Sequence, residues 1–209
     1  MSNTNIATLL SGRGSNFRAI NEAIKHGGIK DASIAVVISD KPNAEGLLYA
    51  RNNKIEVFTL NPELYDTRED YDEEILRIVQ QFNIGLICLA GYMKIVSKVL
   101  LNAYSGKIMN VHPSLLPAFP GLHAQKQALN YGVRISGCTV HFVDSGLDAG
   151  PIILQGTVPV FSDDNEHTLS ERILKEEHLI YPKAVGLYTK GLLSIQGRTV
   201  KILQEHSKE

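Results

Sequence analysis

Apolar runs alternate with helix-period segments along the first half of the chain. Residues 6–11 (IATLLS) are nearly all apolar and predict a buried strand. In 15–27 (SNFRAINEAIKHG) Phe17, Ile20 and Ile24 recur at helical spacing, and Gly27-Gly28 stops the pattern. Residues 33–40 predict a second buried strand, 44–53 a short helix, and 55–60 another strand. Segment 67–82 is an amphipathic helix. Ile75, Ile78, Val79 and Phe82 share a face, and acids crowd the first half, where the helix dipole favours them. Strands come next at 84–91 and 107–112, with a short helix at 97–104 between them. Strands that are apolar throughout and separated by helices predict a parallel sheet covered on both faces.

After His112 the pattern changes. A helix is predicted at 123–132, then two strands, 135–143 and 150–160, with no helix between them. These read as a hairpin-like pair, antiparallel to the sheet. A long helix over 168–191 contains Pro182, a point where it can bend. Residues 199–203 predict a last short strand, and the tail beyond is expected to fray. The fold class is therefore α/β: a Rossmann-like open, mostly parallel sheet with helices on both faces and a C-terminal strand pair. No repeat or low-complexity linker divides the chain, so one domain over 1–209 is expected.

Composition narrows the function. The chain of 209 residues is 44% hydrophobic and 21% charged with net charge −1, so a broad basic surface for nucleic acid is not expected. No apolar run approaches the roughly 18 residues of a membrane helix, and the N-terminus lacks signal-peptide character. A soluble, cytoplasmic protein is expected. Cys88 and Cys138 lie in strand-like runs without metal-ligand spacing, which suits buried thiols in a reducing compartment. His112, His123 and His141 are too scattered to predict a metal site, and none is expected. Ser114 lacks the flanking glycines of a nucleophile elbow.

Two stretches carry candidate chemistry. LLSGRGSNF sets Gly12 and Gly14 after the first strand and opens a helix with Ser15-Asn16. Glycines permit close backbone approach, and the first helical N–H groups have no internal acceptor, so a phosphate fits there. The alternative is a tight strand–helix turn with an N-capping serine. Arg13 either adds charge or points into solvent. Phe17 occupies the third glycine position of a dinucleotide fingerprint, although Asp40 stands where a ribose-binding acid belongs.

The second stretch is IMNVHPSLLPAFPG, 108–121. Residues two apart on a strand share a face, so Ile108, Asn110 and His112 point together. Pro113 holds His112 extended, and Pro117 and Pro120 stiffen the loop after it. Asn110 can donate to a carbonyl oxygen that becomes an oxyanion, and His112 can exchange a proton near neutral pH. Asp148, in GLDAGPI, is the candidate to orient or charge-balance the histidine. Alone in such a loop it would be read as a turn residue.

SGRGSN, LAGYMKIVS, NVHPSLLPAFPGLHAQKQAL, GCTVHFVDSGLDAGPIILQ and EEHLIYP, in this order and spacing, resemble the folate-dependent phosphoribosylglycinamide formyltransferases of de novo purine synthesis. The resemblance spans about 5–190. It implies formyl transfer from 10-formyltetrahydrofolate, as co-substrate, to the amine of glycinamide ribonucleotide (GAR). It implies that Asn110, His112 and Asp148 are catalytic, and that Gly14, Ser15, Asn16 and Glu177 bind GAR. Arg68, Met93, Lys94, Ile95, Val96, Asn110 and Val143 fall on the folate side. It also implies a ribonucleotide-binding half over about 1–105 and a folate-binding, catalytic half over about 106–190. The expected partners are these small molecules, not nucleic acid or membrane, in a monomer or homodimer. The chain departs from the usual pattern at Tyr92 (phenylalanine), Lys94 (arginine) and Gln125 (histidine). Lys94 keeps the charge without the planar fork of arginine. Two other readings compete: a related formyltransferase or deformylase with another acceptor, and a non-catalytic dinucleotide-binding module built on Gly12, Gly14 and Asp40.

Overall fold

The computed structural model describes residues 3–204, so the expected frayed end, from 205 on, lies outside the described residues. Among the described residues nine strands form one sheet: β1 (Thr4–Leu10), β2 (Ala32–Ser39), β3 (Glu56–Thr59), β4 (Ile84–Leu89), β5 (Ile108–His112), β6 (Ile135–Phe142), β7 (Ile152–Pro159), β8 (Leu193–Gln196) and β9 (Thr199–Ile202). Their order is β3-β2-β1-β4-β5-β6-β7-β9-β8. The first five are parallel. β6 runs antiparallel to both β5 and β7. The mostly parallel sheet and the added antiparallel pair match the expected class.

Six α-helices among the described residues cover the sheet: α1 (Ser15–Lys25), α2 (Glu45–Asn52), α3 (Arg68–Gln81), α4 (Lys98–Ala103), α5 (Ala124–Tyr131) and α6 (Glu166–Thr189). The two faces of the parallel strands feed two cores. Ile6 and Leu10 of β1 pack with Phe17, Ile20, Leu47 and Tyr181 from α1, α2 and α6. Ala7 and Leu9 point the other way, to Tyr71, Ile75 and Leu100 of α3 and α4. This alternation is why the strands read as continuously apolar: both faces are buried.

Two features differ from the sequence reading. α6 begins two residues early because Asn165 caps it: the Asn165 side-chain oxygen accepts from His167 N at 2.9 Å and Thr168 N at 3.0 Å. It continues through Pro182 to Thr189. β8 was not expected. It pairs antiparallel with β9 across a turn in which Gly197 has φ +60°.

Candidate active site

The carboxyl ends of β1, β4 and β5 define the site, the position where open α/β sheets hold ligands. At the end of β1 the chain enters α1 through Gly14, with φ +67°. A Cβ there would lie 3.1 Å from both Gly46 Cα and Leu10 Cδ2, so both conformation and space favour glycine. No side chain caps α1, which leaves its first N–H groups open to an anion. Asn16 is 7% exposed; its Nδ2 donates to Glu177 Oε2 at 2.6 Å, while its buried Oδ1 has no partner among the described residues. Burial pushes the Glu177 carboxyl up to about 7, against the lowering effect of the Asn16 hydrogen bond. Arg13 is exposed. His178, beside Glu177, has a buried Nε2 without a partner among the described residues, and burial and then Arg13 lower its pKa.

β5 presents Asn110 and His112 on one side, as the two-residue period requires, while Met109 and Val111 enter the core opposite. His112 is 5% exposed. Its Nδ1 lies 3.3 Å from Asp148 Oδ2, and its Nε2 lies 2.9 Å from the Phe119 carbonyl oxygen. Both ring nitrogens therefore face acceptors. Asp148 is held in place twice. Its Oδ2 accepts from Gly121 N at 2.8 Å, and its own backbone has φ +48°. Gly150, two residues on, packs so closely on the Phe142 carbonyl that a Cβ would come within 1.8 Å of its oxygen. That contact seats the Asp148 loop on β6. Asp148 Oδ1 has no donor among the described residues. The nearby ring nitrogen is His141 Nε2, at 3.9 Å.

His141 is a site residue that sequence reasoning missed. It faces Asn110 across the β5–β6 ladder and is 2% exposed. Its Nδ1 lies 2.9 Å from the Phe142 carbonyl oxygen and its Nε2 lies 3.3 Å from Asn110 Nδ2. Burial lowers its pKa. The neutral tautomer with the proton on Nδ1 satisfies both contacts, donating to Phe142 and accepting from Asn110. One Asn110 N–H is thereby committed, and the other has no acceptor among the described residues. A buried histidine inside an apolar strand carries no signal of this kind; only its cross-strand register with Asn110 does.

The residues expected on the folate side are less closely gathered. Val143 lines a cleft of about 640 Å³ with Leu101, Phe142, Asp144 and Ile195. Met93 and Ile95 are each 65% exposed on the loop between β4 and α4, and Lys94 is exposed there too, whereas Val96 is buried. Asp72, accepting from Ser97 N, and Ser11 Oγ, accepting from Met93 N at 2.9 Å, anchor that loop. Arg68 opens α3, half exposed, with Glu69 3.9 Å away. His123 is exposed and near Glu166, and among the described residues no group of three His, Cys, Asp or Glu could hold a metal.

The sequence model of the formyl transferase family matches residues 4–185. The chain belongs to the formyl transferase family. Within this family it is 42% identical over 191 residues to the phosphoribosylglycinamide formyltransferase of Escherichia coli K12, covering 91% of this chain and 90% of that protein. It is 44% identical over 188 residues to the trifunctional purine biosynthetic protein adenosine-3 of Drosophila melanogaster, 89% of this chain but only 14% of that protein's length. The glycinamide ribonucleotide transformylase 1 of Symbiobacterium toebii superposes with a TM-score of 0.95 at 47% identity, covering 97% of this chain and 95% of that one. A formyltetrahydrofolate deformylase from Pseudomonas syringae shares the fold at 23% identity, with a TM-score of 0.89 over 97% of this chain and 67% of that one.

The dinucleotide module loses support. Phe17, in place of the third glycine, is fully buried in the core beneath α1. Asp40 is 3% exposed, and its charge acts on Tyr71 and Tyr92 in the core of the opposite face. No helix among the described residues is long and apolar enough to cross a membrane.

Proposed function

We propose that this formyl transferase moves the formyl group of 10-formyltetrahydrofolate to the primary amine of GAR. The observation that carries this reading is the meeting of Asn110, His112 and Asp148, with His112 Nδ1 3.3 Å from the carboxylate, in the same crevice as an uncapped glycine turn. The relatives that match nearly end to end, from E. coli and S. toebii, bear names that support the same acceptor.

In this reading the GAR phosphate sits on the N–H groups of Ser15 and Asn16 after Gly14, and Glu177 accepts from the ribonucleotide. The folate lies against Val143 and the loop of Met93, Lys94, Ile95 and Val96, with Arg68 and Lys94 toward its acidic end. The amine nitrogen attacks the formyl carbon. A C–N bond forms and the carbonyl electrons move to oxygen. The free N–H of Asn110 donates to that oxyanion, and the charged His112 ring stabilises it. The C–N10 bond then breaks; the amine gives up a proton and N10 gains one. Both His112 nitrogens are already engaged, so the proton passes through a water held on Asp148 Oδ1, the oxygen without a donor among the described residues. The ribonucleotide-binding half spans about 1–105 and the folate-binding, catalytic half about 106–190, in one domain. The small-molecule partners call for no metal.

The test is formyl-GAR production by the purified protein from GAR and 10-formyltetrahydrofolate, detected by mass spectrometry. Formate release without GAR would point to a deformylase, and tight NADH binding without folate binding to the dinucleotide module.

A further inference from the structure

α6 touches the candidate site twice from the core side. Glu177 meets Asn16 at the phosphate turn. One helical turn later Tyr181, fully buried, spans two strands. Its hydroxyl lies 3.1 Å from the Leu89 carbonyl oxygen and 2.9 Å from the Met109 carbonyl oxygen. Leu89 is the last residue of β4, and Met109 immediately precedes Asn110. The β4–β5 ladder is short, and its last partners are Leu89 and Asn110. Beyond them the strands part and the crevice opens. A carbonyl oxygen has two lone pairs, one of which the ladder leaves unused, and the single Tyr181 O–H is shared between the two oxygens as a three-centre hydrogen bond, the shorter arm to Met109.

We infer that Tyr181 is a positioning residue for formyl transfer: its hydroxyl ties the ends of β4 and β5 at the spacing that aims Asn110 and His112 into the crevice. The inference rests on the reading that these two side chains carry the reaction. Tyr181 touches no substrate. It acts through the backbone of β5, one residue before the donor.

The same helix supplies its own control. Two turns further on, the Tyr188 hydroxyl lies 2.9 Å from the Gly85 carbonyl oxygen, near the opposite end of β4 and away from the crevice. Tyr181→Phe and Tyr188→Phe therefore delete the same kind of bond at the two ends of one strand. Both variants should fold, with lowered melting temperatures. With a hydrogen bond of ordinary strength at stake, Tyr181→Phe should cut kcat by about fivefold while KM for GAR and for 10-formyltetrahydrofolate stays within about twofold. Tyr188→Phe should keep the wild-type kcat. A wild-type kcat in Tyr181→Phe, an equal loss in both variants, or a loss confined to KM would overturn the inference and leave the functional assignment standing. No transfer by the wild-type protein would sink the assignment itself, and the inference with it.

Discussion

Replacing Glu177 by glutamine separates the charge of this buried carboxyl from its shape. The glutamine keeps an oxygen to accept from Asn16 and removes the ionisation. Burial raises the Glu177 pKa from 4.5 to about 7. Between those values the folded state holds a proton that the unfolded state has released, so folding stability falls as pH rises through this window and is fully retained below it. At 1.36 kcal/mol per unit, the loss from this group amounts to about 3 kcal/mol. For a chain of this size each kcal/mol moves the melting temperature by about 2–4 °C, so the group accounts for roughly 6–12 °C. The assay is a thermal melt of wild type and Glu177→Gln from pH 4.5 to pH 8. The difference, variant minus wild type, should be small at the acid end and grow to several degrees by pH 8. Saturating GAR should shrink it in the proposed complex, because donors from the ligand stabilise the carboxylate. A difference that is flat across the range would refute the argument, since it would mean that Glu177 titrates normally.

Other substitutions test the catalytic geometry. Asp148→Asn preserves volume but removes the charge beside His112, and kcat should fall on the order of 10²-fold with GAR affinity retained; a near-normal kcat would remove Asp148 from the mechanism. His141→Phe takes away the acceptor that commits one Asn110 N–H, and kcat should drop roughly fivefold, the weight of one hydrogen bond. Identical kinetics to wild type would show that Asn110 needs no such restraint. Asn16→Ala deletes a donor to a buried carboxylate and a wall of the phosphate turn. GAR affinity should weaken about tenfold or more, with 10-formyltetrahydrofolate binding unaltered, as read by calorimetry with each ligand separately.

Much of this architecture was legible in the residues themselves. Strands buried on both faces leave apolar runs, so β1, β2, β4 and β5 could be read directly. The glycine turn and the Asn-x-His at a strand end announce themselves because glycine and paired polar residues are out of place in such runs. The features that stayed hidden depend on long-range register or on the backbone. The Asn16–Glu177 bond joins residues 161 apart. His141 gains meaning only once β6 is laid antiparallel on β5. The groups that hold His112 and Asp148, the Phe119 carbonyl and the Gly121 N–H, belong to the main chain and have no residue signature. β8 was missed because its four residues are too short and too weakly apolar to show a period. Of the residues expected on the folate side, Val143 lines a cleft whose other walls, Leu101, Phe142 and the β8 residue Ile195, carry no motif of their own.

The most direct test of the central claim is the rate of formyl transfer in Asn110→Ala and His112→Ala, measured in single turnover with both substrates bound. The account predicts wild-type transfer to GAR and a loss on the order of 10²–10³ in each variant, with dissociation constants for GAR and 10-formyltetrahydrofolate close to wild type. Undiminished transfer in both variants would contradict it.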